Sequence, residues 1–551
     1  MGSTVRLVSG VAQRSAILAA SIVAFCLLAW QPTAWLGYII GAFAVALVGY
    51  HYRHGQLGRA STGRVLLACG AVAAYARGLN GVSAYALLVA AALLVAMLAA
   101  EALLGRAWTS ARILVANLPG FERRTAPQVT PRLAFAVDTG LVVVFGVFAV
   151  LALPSWPLLV ISVAAAAGWS VLLLELVWLR RERTPAWAAC RKALEAYKPA
   201  FALYFSGQPG LLYQVAMWLP YLDRLEHRYV VVLREANLFG AVQAMTSAPV
   251  ACCESMTALD EVTVPSLEVA FYVNNAMKNT HFVRHPRLTH IQLLHGDSDK
   301  PPSYHPAAKM YDRLFVAGQA AIDRYHDHGV PIPEDRFDIV GRPQVETIKV
   351  TDQHVGERRP KVVLYAPTWT GFSSDVNYCS LPVATPLLRA LLARDVTVIL
   401  RSHPFTSKDS ASAARLAALQ DLLAEDARTS GRAHVFGVAA ERERSVVDCF
   451  NAADALISDV SSVVSDFLFS AKPFAITDMV GEGDRFADTF PMARAAYVLR
   501  GDLSNLDPVL DELLETDPLE EPRREARAYY LGDFPTETYA DAFVSGSLRY
   551  L

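Results

Sequence analysis

Residues 455–473 read ALISDVSSVVSDFLFSAKP, and this stretch decides the fold. A short apolar run, 455–457, stops at a polar turn. Asp459, Ser461 and Ser462 then open a stretch of helical spacing that carries Asp466 one turn later and ends near Lys472 and Pro473. A buried strand feeding a helix through Ser and Asp is the repeating unit of parallel α/β architecture. Working outward, strands are expected at 200–205, 229–233, 269–273, 289–294 and 314–316. A second set is expected at 362–365, 396–400, 434–436, 455–457 and 474–476. The polar stretch 351–360 separates the sets, so 197–350 and 351–520 read as two Rossmann-like lobes, with 521–551 as a charged closing helix and tail. Ligands in open α/β sheets bind at the carboxyl ends of strands, which points to the cleft between the lobes.

The first 180 residues have a different chemistry. The 551-residue chain is 53% hydrophobic, with a net charge of −2 and a mean hydropathy of +0.29. Residues 1–180 hold 12 Arg, no Lys and 4 acids, or +8; the rest holds 38 basic against 48 acidic residues, or −10. Apolar runs at 17–30, 34–50, 65–76, 82–104, 133–153 and 157–179 predict about six membrane spans, the third being the weakest because Arg77 interrupts it. Arginines crowd alternate connections: Arg6 and Arg14; Arg53, Arg59 and Arg64; Arg106, Arg112, Arg123, Arg124 and Arg132; then Arg180, Arg181 and Arg183. The positive-inside rule then places both termini and the lobes in the cytoplasm of a plasma-membrane protein. Residues 1–180 are thus a transmembrane helical domain and 181–196 a juxtamembrane linker. Glu101, Asp138 and Glu175 are the only acids in the runs and lie near their ends, which argues for an anchor or a lipid-acceptor platform and against a pump. No folded basic face points to nucleic acid. Seven cysteines without metal-type spacing suit a reducing compartment.

Three more polar clusters follow expected strands directly. IQLLHGDSDK (291–300) delivers His295, Gly296 and Lys300; VVLYAPTW (362–369) delivers Pro367, Thr368 and Trp369; VILRSHP (398–404) delivers Arg401, Ser402 and His403. A helix N-terminus with two hydroxyls, as at Ser461 and Ser462, suits a diphosphate. On capping preference alone, Asp459 or Ser461 would be a plain helix cap. Four such clusters at strand ends, divided between two lobes, outweigh what any one of them says. No phosphate-binding GxxxxGK[ST] loop, GxSxG elbow or HExxH motif occurs.

In order along the chain, YVNN, Gln292 ahead of HG…K, GRP at 341–343, YAPTW, R-x-HP, SDVSS with Asp466, and KP resemble the CDP-glycerol glycerophosphotransferases of teichoic-acid polymerase type. The resemblance covers roughly 272–473 and implies a GT-B fold. It also implies transfer of glycerol phosphate, or a related polyol phosphate, from a CDP-activated donor to a hydroxyl of a membrane-associated glycan or lipid-linked acceptor, with release of CMP. By position, His295 would be the catalytic base and His403 would lie at the donor phosphates. Gly296, Lys300, Arg342, Pro367, Thr368, Arg401, Asp459, Ser461, Ser462 and Asp466 would bind the donor or its phosphates. This chain departs from the family at HGDSDK, where HGTPLK is usual, and at GRPQVE, where PRND is usual.

The resemblance implies that His295 removes the acceptor proton while His403, Arg401, Lys300 and the serine-bearing helix hold the diphosphate. Asp297, Asp299 and Asp459 are the carboxylates available to bring Mg2+ to it, although no obligatory cofactor is expected. The rival readings are a GT-B glycosyltransferase using a nucleotide sugar, and an inactive membrane scaffold that keeps the fold.

Overall fold

The computed structural model describes residues 16–29, 35–53, 61–76, 81–122, 131–351, 353–371 and 377–551. These divide into an apolar helical unit, 3–115 with 120–193, and an α/β unit that holds 116–119 and 194–551.

The six apolar runs all appear as helices, but only three are long and apolar enough to cross a membrane: Val82–Glu101, Arg132–Val150 and Ser155–Tyr197. Ala16–Ala29, Trp35–Tyr50 and Thr62–Ala76 are shorter. About 20 residues are needed to cover the hydrocarbon thickness at 1.5 Å per residue, so six full spans are not seen among the described residues. Arg6, Arg14, Arg59, Arg77, Arg123, Arg124 and the connection 31–33, on which the orientation argument drew, lie outside them.

Two further expectations for this unit change. Arg64, read as a loop charge, is fully buried in the helix Ser61–Ala76 and pairs bidentately with Glu101 at 2.6 and 2.8 Å. Its guanidinium also reaches Thr139 at 3.2 Å and covers the Phe135 ring at 4.0 Å. Buried Asp138 accepts from Trp169 Nε1 at 2.8 Å. Glu101 and Asp138, two of the three acids placed near run ends, are therefore part of a polar staple joining four helices, an arrangement that keeps charge tolerable in an apolar bundle. The stretch 181–196, read as a linker, is helical: Ser155–Tyr197 runs through it.

After the first strand every pairing is parallel, and the strands form two sheets. The first has eight strands: β1 Leu114–Ala116, β2 Phe201–Phe205, β3 Tyr229–Leu233, β4 Val250–Cys252, β5 Val269–Tyr272, β6 Thr289–Gln292, β7 Arg313–Val316 and β8 Phe337–Ile339. Their order is 1-4-3-2-5-6-7-8. The second comprises β9 Val362–Ala366, β10 Thr397–Leu400, β11 Ala455–Ser458, β12 Phe474–Asp478 and β13 Tyr497–Arg500, in the order 10-9-11-12-13. FALYF in β2 and YVVVL in β3 are buried at every position, as helices on both faces of a parallel sheet require. Nine of the ten expected strands form within a residue or two. The tenth, 434–436, is reduced to one bridge, Ile399 to Val435, because Val398 N–H donates to His434 Nδ1 in place of a backbone carbonyl. The tail 521–551 does not stand apart. After the helix Glu520–Leu531 a last helix, Asp541–Leu548, returns to the first sheet, where Phe543 packs on Trp218 and Phe315.

Candidate active site

His295 follows β6 after Leu293 and Leu294. Leu294 takes a left-handed conformation, φ 54°, which costs a non-glycine residue about 1–2 kcal/mol. Trp218 Nε1 offsets this by donating to the Leu294 carbonyl at 2.6 Å, and the turn aims the imidazole across the end of β5. There His295 Nδ1 lies 2.9 Å from the Val273 carbonyl. A carbonyl can only accept, so the ring proton is on Nδ1 and Nε2 carries the lone pair. Burial pushes the His295 pKa down to about 4, and the ring is neutral near pH 7.

His403 has the opposite arrangement. Phe405 N–H donates to its Nδ1 at 3.1 Å, so the neutral ring carries its proton on Nε2 and presents a donor. Burial, aided by the charges of Lys300 and Lys408, brings its pKa down to about 4 as well. Trp369 stacks on the ring with centroids 5.8 Å apart, and Phe405 meets both edge-on. Backbone contacts therefore fix one histidine as acceptor and the other as donor.

The lobes meet at the residues between these rings. A Cβ at Gly296 would stand 3.1 Å from the Ser462 side chain, which explains a glycine after the histidine. Arg342 follows Gly341, whose φ is 70° and whose absent Cβ leaves room for the Tyr539 ring. Its guanidinium forms a bidentate pair with Asp466 of the other lobe and reaches the His295 carbonyl at 3.4 Å. Arg342 and Asp466 are thus a clamp between lobes, not free donor ligands. The Lys300 carbonyl accepts from Ser303 N–H at 2.9 Å, but its ammonium makes no hydrogen bond among the described residues and lies 5.3 Å from the Tyr378 ring centroid. Burial lowers its pKa to about 8, opposed by the Asp459 carboxylate.

Other expected ligands serve the scaffold. Arg401 turns away from the cleft to the carbonyls of Ala440 and Arg444, the latter at 2.9 Å. Asp459 is fully buried and accepts from Thr368 N–H at 2.7 Å, Ser380 N–H at 3.2 Å and the Thr477 hydroxyl; burial pushes its pKa up. It fixes the turn bearing Pro367 and Thr368, both buried. Ser461 caps the helix Ser462–Phe467 by accepting from Val463 N–H, so the plain capping reading holds for it. Lys472 of the KP pair donates to the carbonyls of Phe450 and Ala453 at 2.9 and 2.6 Å.

The carboxylates offered for Mg2+ do not fit that task. Asp297 and Asp299 both pair with buried Arg324, and Asp299 also accepts from Met492 N–H at 3.0 Å. With Asp459 occupied by three donors, none of them presents a free ligand set. Among the described residues no cluster of three or more His, Cys, Asp or Glu could hold a metal ion.

Gln214 was not singled out in the sequence. Its amide nitrogen lies 3.1 Å from His295 Nε2, and its carbonyl oxygen accepts from Asn274 Nδ2 at 3.1 Å. LLYQVAM gives no hint of this, since a glutamine in a short amphipathic turn is ordinarily a surface residue.

Residues 261–479 match the family CDP-Glycerol:Poly(glycerophosphate) glycerophosphotransferase. The resemblance carried by the motifs therefore holds over this stretch, and a glycerophosphotransferase is the enzyme class it supports. Solved structures similar to this chain include that of the wall teichoic acid polymerase TagF, at 15% identity over 68% of this chain and 95% of that one, with a TM-score of 0.40. A putative UDP-N-acetylglucosamine 2-epimerase from Listeria monocytogenes is 11% identical over 63% and 95%, TM-score 0.43. S. aureus MnaA with UDP is 13% identical over 64% and 98%, TM-score 0.43. A search of curated proteins found no match.

Proposed function

We propose that the chain moves glycerol phosphate, or a related polyol phosphate, from a CDP-activated donor to a hydroxyl of a membrane-associated glycan or lipid-linked acceptor. The observation that carries this reading is the pair of neutral histidines held in opposite tautomers, one accepting and one donating, with the Lys300 ammonium near the second. The acceptor oxygen forms a bond to the phosphorus bearing glycerol as the bond from that phosphorus to the CMP oxygen breaks. The hydroxyl proton goes to His295 Nε2, which is unprotonated near pH 7 and so can act as a general base. His403 Nε2–H and Lys300 stabilise charge on the phosphoryl oxygens and on departing CMP, where positioning and electrostatics dominate. Ser462, close against Gly296, completes the floor of the donor site. The apolar helices would hold this unit at the membrane in several passes, with the lobes on the cytoplasmic side where nucleotide donors are made.

The test is CMP release by the full chain in native membranes supplied with labelled CDP-glycerol, with UDP-sugars in parallel. Label transferred to membrane material together with CMP supports the reading. Turnover of a UDP-sugar alone would make the chain a glycosyltransferase, and no turnover of any donor would leave a scaffold.

A further inference from the structure

The lone pair that His295 needs as a base is already taken. Because Nδ1 is committed to the Val273 carbonyl, the group facing Nε2 at 3.1 Å must be the Gln214 NH2 and not its oxygen. Its orientation is set independently. Asn274 Oδ1 accepts from Ala276 N–H at 3.1 Å, which turns Asn274 Nδ2 toward the Ser206 carbonyl and Gln214 Oε1, each at 3.1 Å. Gln214 itself is buried, in the short helix Tyr213–Ala216. A backbone-anchored chain of amides thus ends as a donor on the base.

We propose that Gln214 is a positioning residue that plugs His295 Nε2 until an acceptor hydroxyl displaces it, so that a bound donor is not spent on water. The proposal rests on His295 being the base. Once Nε2 takes a proton, its N–H and the Gln214 NH2 face each other as two donors. Flipping the amide only moves the conflict, since Gln214 NH2 would then oppose Asn274 Nδ2. Gln214 must therefore leave as the proton arrives, and a water molecule, with few contacts of its own, offers little to repay that departure. A larger acceptor has binding energy elsewhere to spend on it. The charged group facing the imidazole is Arg342, neutralised by Asp466; Tyr213 stands edge-on at 5.9 Å, and the Glu235–Lys278 pair lies behind Ser206.

The experiment compares the full chain with Gln214→Met, which keeps the volume without hydrogen bonds, and Gln214→Glu. Two quantities are read: CMP released from CDP-glycerol with no acceptor added, and the rate at which diethyl pyrocarbonate modifies His295, followed by mass spectrometry of its peptide. Gln214→Met should raise both about tenfold, the worth of one neutral hydrogen bond. In Gln214→Glu the carboxylate would accept from a protonated ring, so the pH below which modification slows should rise by about one unit or more. Unchanged modification rates and unchanged hydrolysis in both variants would overturn the plug. His295→Ala run beside them separates the two ideas: an inactive His295→Ala with unaltered Gln214 variants removes the plug alone, whereas an active His295→Ala removes the base.

Discussion

Donor binding should weaken as pH rises through about 8, and Lys300 should be the cause. Its ammonium is half-buried between the lobes, unpaired by any hydrogen bond among the described residues, and burial has brought its pKa to about 8. It is then about nine-tenths charged near pH 7 and about one-tenth charged near pH 9. A charge-assisted hydrogen bond contributes about 1.5–3 kcal/mol, so losing it should raise the Kd roughly 10- to 150-fold. His295 and His403, both near 4, stay neutral throughout this range and cannot mimic the effect. Isothermal titration of CDP-glycerol into the full chain from about pH 6.5 to 9.5 should show a flat region and then a tenfold loss per unit. Lys300→Arg keeps its charge over the whole range and should bind with little pH dependence. A flat wild-type profile would refute the placement of Lys300 at the phosphates. So would an equal alkaline fall in the arginine variant.

Three other outcomes are expected. His295→Ala should lower turnover by roughly 10² to 10⁴ with donor affinity within a few-fold, while His403→Ala should weaken both, as titration alongside CMP-release kinetics would show; equal loss of donor binding would mean the roles are wrongly assigned. Arg324→Met should cost about 3–5 kcal/mol, since it leaves Asp297 and Asp299 buried without their cation, and an unchanged denaturation midpoint would count against that pairing. Thermal stability should fall with acid between about pH 6.5 and 4. Buried His295 and His403 bind a proton less readily folded than unfolded, so the unfolded chain takes up more protons there; His403→Gln should flatten that slope, and an identical slope would contradict the burial of the ring.

What the sequence disclosed follows its physics. Parallel strands buried on both faces are continuous apolar runs, and so β2, β3, β5 and β6 were legible, as were the clusters at their ends. Val250–Cys252, Phe337–Ile339 and Leu114–Ala116 are three residues each, too short for a pattern, and Tyr497–Arg500 is an edge strand with two partly open positions. Position after a strand marks the cleft but not the direction of a side chain. Arg401 shares that position with His403 and yet turns to backbone carbonyls, and Asp459 holds a turn instead of a ligand. Tautomers are set by single backbone contacts, at Val273 and Phe405, that no residue pattern encodes. Arg64 looked like a loop charge because its partner Glu101 is 37 positions away.

The returning C-terminal helix imposes an order on synthesis. Phe543 braces Trp218, Trp218 holds the Leu294 carbonyl, and Leu294 sets His295; Arg549 and Tyr550 fasten to Asp338 at 3.0 and 2.7 Å, and Tyr539 hydroxyl meets Arg342 N–H at 3.1 Å. The first lobe emerges from the ribosome well before the residues that finish it. His295 can be aimed only after residues 541–550 have been made, so a nascent chain that stops short of them would hold the cleft residues without the brace that sets the imidazole. A chain cut after Tyr539 would lose the brace while keeping every cleft residue.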